Sequence, residues 1–235
     1  MSLPKITHPQ IILEIPSSKK KVNFRPFLVK EEKILLMAKL SDQESDILLA
    51  IKQVVNNCAL GELNIDAISL FDLEYIFIQL RAASVNDTVQ VSYKDNEDEK
   101  IYDFEVELKK IKVIFPEKVN NTIKISDKSA IIMKYPNSSL YEDKEFLESG
   151  DDSFFQLILR CIDKVYDENE VYEVSSYSKK ELEEFIENLD IKTFEKIQDF
   201  MINQPKLSYV IKYKNSLGNN REIELTTLSD FFTLR

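Results

Sequence analysis

The period of the apolar residues changes several times along the chain, and that change decides which folds are open to it. Ile11, Leu13 and Ile15 alternate, Pro16 to Lys20 reads as a turn, and Val22, Phe24 and Phe27 follow. Alternation on both sides of a turn predicts an antiparallel hairpin, and Pro26, which cannot donate to a ladder, predicts its end. The spacing then becomes three and four. Ile34, Leu35, Met37 and Ala38 give a first apolar helix face, and Ile47, Leu48, Ile51, Val54, Val55 and Cys58 give a second. Ser41-Asp42-Gln43-Glu44 has the spacing of a capping box and predicts the start of the second helix, with Gly61 as its stop. Ser69 is placed to cap a third helix, carrying Asp72 near its positive end and Leu73, Ile76, Phe77 and Leu80 as a buried stripe.

The period returns to two between residues 88 and 133. Val89, Val91 and Tyr93 alternate, Asp95 to Glu99 turns, and Tyr102, Phe104, Val106 and Leu108 alternate again; Ile123, Ile125 and the stretch Ile131 to Tyr135 add extended segments. Helical spacing resumes at Phe154, Phe155, Leu157, Ile158, Cys161, Ile162 and Val165. Ser178-Lys179-Lys180-Glu181 is a further capping box, leading into Leu182, Phe185, Ile186 and Leu189. Phe194, Ile197, Phe200 and Met201 predict a helix that stops before Pro205. Leu207, Tyr209, Ile211 and Tyr213, a turn over residues 215–220, and Ile223 and Leu225 predict a last hairpin, and a short segment from Leu228 to Leu234 ends the chain.

The order is hairpin, helices, hairpin, linker, helices, hairpin. It predicts an α+β protein of two lobes, each combining amphipathic helices with an antiparallel β-hairpin or ribbon. Pro136-Asn137-Ser138-Ser139 marks the expected boundary, giving lobes at residues 1–136 and 137–235. The second and third hairpins also echo each other: Val91-Ser92-Tyr93-Lys94 and Phe104-Glu105-Val106-Glu107-Leu108 resemble Ile211-Lys212-Tyr213-Lys214 and Arg221-Glu222-Ile223-Glu224-Leu225. So short a match competes with chance.

Composition narrows the chemistry. Asp and Glu number 41 against 31 Lys and Arg, a net charge of −10, which opposes both a nucleic-acid backbone and an anionic leaflet. Three glycines, where average usage would give about 16, rule out most glycine-rich phosphate loops. Met1 to Lys5 shows no apolar signal region, and no apolar run approaches the roughly 20 residues needed to span a bilayer; an intracellular product is expected. Cys58 and Cys161, each in an apolar helical stretch, read as buried free thiols.

The remaining candidates for chemistry are weak. Counting an EF-hand loop from Asp95 puts Lys100 where glycine is required and Val106 where glutamate is required, so a solvated hairpin tip is expected. The single histidine, His8, has no partner motif, no pair of carboxylates is singled out for glycoside hydrolysis, and Lys19-Lys20-Lys21 reads as a solvated turn. No catalytic, cofactor-binding or metal-ligating residue is assigned. Aromatic anchors suit protein interfaces, so the partner-contact candidates are Phe24, Arg25 and Phe27, then Phe71, Glu74 and Arg81, then Phe231 and Phe232, with core packing the competing role for the aromatics.

The stretch from Phe24-Arg25-Pro26-Phe27 through Glu31-Glu32-Lys33 to Ile34-Leu35-Leu36-Met37-Ala38 resembles the baseplate hub family of T-even-type contractile-tailed bacteriophages. Residues Leu70 to Val85 are similar to a second signature of that family, and Cys161 to Tyr166, Phe194 to Ile197 and Pro205-Lys206-Leu207 continue the likeness in order. In that family the two hairpins that follow helices can carry Cys-x-x-Cys pairs in the manner of small zinc ribbons. Here the matching turns, Lys94 to Lys100 and Lys214 to Arg221, contain no cysteine, so strand pairing and turn chemistry must hold them. The resemblance implies a structural subunit of the tail baseplate hub, acting through other baseplate and tail hub proteins, with no nucleic acid, membrane or small-molecule substrate. It places the chain in the virion tail, after assembly in the host cytoplasm. The alternative it leaves open is a chaperone-like hub assembly factor absent from the finished virion.

Overall fold

The computed structural model describes residues 6–41, 44–117 and 120–231. The fold is α+β, built from small antiparallel sheets and helices, as the changing apolar period predicts. It divides into two compact units: Met1–Ile114 with Lys206–Arg235, and Phe115–Pro205.

The first unit opens with strands β1 (Ile11–Glu14) and β2 (Lys21–Phe24), paired from Ile11 opposite Phe24 to Glu14 opposite Lys21. Helices α1 (Val29–Leu40), α2 (Glu44–Cys58) and α3 (Leu70–Ser84) follow. Asp42 and Gln43 lie outside the described residues. Ser41 closes α1, its hydroxyl donating to the Ala38 carbonyl at 2.7 Å. Ser69 holds the N-cap position of α3, but its hydroxyl donates to Asp72 Oδ2 at 2.6 Å instead of accepting a backbone N–H. Asp72, fully buried, also accepts the Ser17 N–H at 3.0 Å and the Ser17 hydroxyl, which ties the first hairpin's turn to α3.

α3 is apolar nearly all round, which requires cover on several sides. It gets that cover from β1, α2 and two strands named below. Leu73, Ile76, Ile78 and Leu80 are fully buried along it.

Strands β3 (Thr88–Lys94) and β4 (Ile101–Glu107) form the second hairpin. β5 (Lys112–Ile114) pairs with β10 (Lys206–Lys214), and β10 pairs with β11 (Asn220–Leu225), giving the order β11-β10-β5. β5 and β10 are the two strands that complete the cover of α3. The short helix α8 (Leu228–Phe231) lies against β3 and buries Phe231. Ile114 and Lys206 face each other in the β5–β10 pair. The chain thus leaves the first unit and returns to it at adjacent points, a geometry that accommodates an inserted domain.

The second unit is that insertion. Strands β6 (Thr122–Lys124), β7 (Ala130–Met133), β8 (Ile162–Tyr166) and β9 (Val171–Glu173) form one antiparallel sheet in the order β6-β7-β8-β9. The helices are α4 (Lys144–Leu147), α5 (Ser153–Cys161), α6 (Lys179–Glu187) and α7 (Ile191–Ile202). The capping box at Ser178 is formed, with Ser178 N–H on Glu181 Oε2 at 2.8 Å and Glu181 N–H on the Ser178 hydroxyl at 3.4 Å. Ile131, Met133, Ile158, Cys161, Ile162, Ile197 and Phe200 meet in the core.

Three expectations need correction. The helix expected to run to Val165 stops at Cys161, and Ile162 begins β8 without an intervening loop. Apolar residues continue across the junction, so their spacing hides it; pairing with β7 and β9 decides the conformation. In α1, the apolar face of Ile34, Leu35, Met37 and Ala38 is not turned inward as one: Met37 is 72% exposed while Ala38 is buried. The expected boundary at residue 136 falls inside the second unit, and the last hairpin belongs to the first. The hairpin reaches its partner β5 across the whole insertion, a pairing of distant residues that local composition does not reveal.

Candidate assembly surface

The predicted partner residues divide by burial. Phe24, Phe27, Phe71 and Phe231 are core side chains. The Phe27 ring lies 5.7 Å from that of Phe77, and the Phe27 N–H donates to the Ser84 hydroxyl at 2.8 Å. Phe232 lies outside the described residues. Glu74 and Arg81 are half-buried on α3. Burial pushes the Glu74 carboxyl up to about 7.

Arg25 is only 14% exposed and is used internally. Its Nη1 and Nη2 donate to the two oxygens of Glu31 at 3.0 and 2.8 Å, to the Pro26 carbonyl at 3.0 Å and to the Asn57 carbonyl at 2.8 Å. Glu31 is fully buried and also accepts the Leu28 N–H at 3.0 Å. Burial alone would raise its pKa; the Arg25 and Leu28 bonds outweigh that and hold it below the usual carboxylate range. The pair fastens the start of α1 to the end of α2, where Arg25 N–H also donates to the Cys58 carbonyl at 2.8 Å.

The hairpin tip from Asp95 to Glu99, expected to stay open in solvent, is fastened to the turn of the last hairpin. Tyr213 donates to Asp95, Asn215 and Asn219 donate through Nδ2 to the two oxygens of Glu97 at 2.7 and 2.6 Å, and the Ser216 N–H and hydroxyl donate to Asp98 at 3.0 and 2.8 Å. Arg221 Nε adds a 3.2 Å bond to Asp95. The rings of Tyr102 and Phe104 each lie 5.1 Å from that of Tyr213. Gly218, at φ 89°, takes a backbone shape in its turn that a side chain would strain. Burial and the bond to Asp95 push the Tyr213 hydroxyl up to about 12. The Tyr213 bond holds Asp95, and the Tyr102 bond holds Asp98, below the ordinary carboxyl range. The acidic run is therefore occupied by protein donors. Among the described residues no group of three or more His, Cys, Asp or Glu is arranged to hold a metal ion.

Burial pushes the thiols of Cys58 and Cys161 up to about 11 and about 12, the wrong direction for a nucleophile. An open recess in the second unit is lined by Asn120, Thr122, Lys196 and Asp199 among others, and Lys196 is turned onto the Lys124 carbonyl at 3.3 Å. Among the described residues no helix is long and apolar enough to cross a membrane.

Residue identity alone did not single out the outer face of α1. Val29, Leu36, Met37 and Leu40 are 75%, 53%, 72% and 84% exposed. With Lys33 they fall on one side of a helix that turns about every 3.6 residues. The signal for this face was available: α1 carries apolar residues on more sides than one packing partner can cover.

An α+β protein that uses several polar side chains in internal fastenings and leaves one helix face apolar offers a surface for contact with other proteins. The family model for T4 bacteriophage base plate protein matches residues 8–233, and the chain belongs to that family. No curated protein and no solved structure matches it.

Proposed function

We propose that the protein is a structural subunit of the baseplate hub, held there by protein–protein contacts and carrying out no turnover. The observation that carries this reading is the outward apolar face of α1 on a chain of the base plate family. The internal fastenings support it. Arg25 with Glu31, and the clasp between the two hairpin tips, stiffen the first unit so that an exposed face keeps a fixed shape. A fixed shape lowers the ordering cost of docking. Glu74, Arg81 and the strand end at Phe24 to Phe27 form the frame behind the contact surface in this reading, and the net charge of −10 keeps the free subunit dispersed.

Quantitative mass spectrometry of purified virions tests it: the chain should be present in fixed proportion to the other tail proteins. Absence from intact particles together with a requirement in assembly extracts would identify an assembly factor instead. Peptidoglycan clearing by the purified protein, lost on changing one carboxylate, would identify an enzyme.

A further inference from the structure

We propose that the outer face of α1 is the seat of an acidic amphipathic helix from another baseplate protein, an inference that rests on the assembly role above and names the partner's chemistry. The stripe is Val29, Leu36, Met37 and Leu40, with Lys33 set among them.

The occupant is a helix because of what α1 offers. A helix has no unpaired backbone groups along its middle, so whatever covers it must satisfy its own backbone. An extended segment laid on α1 would bury donors and acceptors with nothing to meet them, whereas a second helix brings its hydrogen bonds with it. Leucine and methionine at helical spacing provide the ridges such a partner packs between.

The occupant is acidic because of where the charges of α1 point. Glu31 is turned inward and neutralised by Arg25. Lys33 is exposed within the stripe, and Lys30, whose side chain is 64% exposed, stands beside its first turn. A chain of net charge −10 thus presents a locally basic apolar face. Complementarity calls for leucines or similar residues flanked by Asp and Glu.

A second copy fits poorly. In a parallel pairing Lys33 would face Lys33. An anionic leaflet is opposed by the overall charge.

The test replaces Leu36 with a benzophenone photo-crosslinking residue in the full chain, made during infection by the phage that encodes it. Irradiation during tail assembly is followed by mapping of the adduct, with the exposed Ile202 of the second unit as the control position. The expected adduct joins position 36 to a segment of another baseplate protein with apolar residues at helical spacing and flanking Asp or Glu. Lys33→Glu should cut its yield about fivefold by turning an attraction into a repulsion, and Lys33→Arg should leave it unchanged. Urea unfolding of Lys33→Glu should match the parent, since the side chain is exposed. An adduct to a second copy, to lipid, or to a basic or non-helical segment overturns the proposal, as does a yield no higher than at position 202. If the chain is found in tails while the crosslink fails, this surface is wrong and the hub role stands. If tails assemble without the chain, the hub role is wrong whatever the crosslink reads.

Discussion

Arg25→Ala should destabilise the first unit by about 3 kcal/mol at neutral pH. The substitution removes both charged bonds to Glu31, at 2.8 and 3.0 Å, and leaves a fully buried carboxylate with the Leu28 N–H at 3.0 Å and Lys30 at 3.7 Å. Breaking one partner of a buried ion pair costs about 3–5 kcal/mol, and the Lys30 ammonium places this site at the lower end. At about 2–4 °C per kcal/mol, the thermal midpoint should fall by about 6–12 °C. The loss should also depend on pH. In the parent, the folded pKa of Glu31 is depressed, so its contribution is present above the ordinary carboxyl value and disappears as pH falls through the folded one. In Arg25→Ala, burial dominates and the pKa rises. Protonation then removes the unpaired charge, and the two proteins should converge in acid. Urea unfolding followed by circular dichroism, with hydrogen exchange of the α1 amides, measures both effects. A cost below about 1 kcal/mol, or one that does not change with pH, would refute the reasoning. Joint replacement by Arg25→Met and Glu31→Leu should recover most of the stability, because no charge is left buried.

Phe200→Ala should cost about 3–5 kcal/mol in the second unit, since the ring is buried and stacks on Tyr135 at 5.4 Å; calorimetry checks it. The clasp between the hairpin tips should loosen from both ends of the pH scale. Asp95 and Asp98 have depressed pKa values, so their contribution is lost in acid as pH falls through them; Tyr213 has a raised one, so its contribution is complete below about 10 and lost as pH climbs toward about 12. Exchange of the Ser216 amide across pH reads this, and Asp95→Asn should flatten the acid limb. Cys58 and Cys161 should stay unreactive toward a thiol reagent at pH 8 in the folded protein and react together in urea, given their burial and thiol pKa values of about 11 and about 12.

Much of the fold was legible because its signals are local. Alternation gives the hairpins at residues 11–24, 88–107 and 206–225, and the reciprocal bonds of Ser178 and Glu181 are written in their spacing. What escaped depends on distant residues. β10 finds β5 across the inserted unit, and the donors that occupy Asp95, Glu97 and Asp98 come from the last hairpin. The resemblance of the two hairpins in sequence did point to related turns, but not to their being fastened together. The candidate surface was obscured for another reason. Aromatic identity drew attention to Phe24, Phe71 and Phe231, and large apolar rings near helices and strands usually find the core first, as these do.

A helix with apolar residues on most sides has no strong preference for which side faces inward. α1 is such a helix, and burial of leucine and isoleucine could proceed nearly as well in more than one rotation. Glu31 removes that freedom. Its carboxylate has one place where it can be buried, against Arg25 and the Leu28 N–H, and turning α1 away would strand both charges. With Glu31 inward, Ala38 is also inward, and Val29, Leu36, Met37 and Leu40 are left outside. A cheaper design would place polar residues on that outer face and need no ion pair to set the rotation. The use of a buried pair, whose net worth for stability is small beside hydrophobic packing, makes sense where the outer face must stay apolar for another protein. The joint replacement of Arg25 and Glu31 separates these roles: stability returns, but the α1 amides should exchange faster and the outer face should lose its fixed presentation.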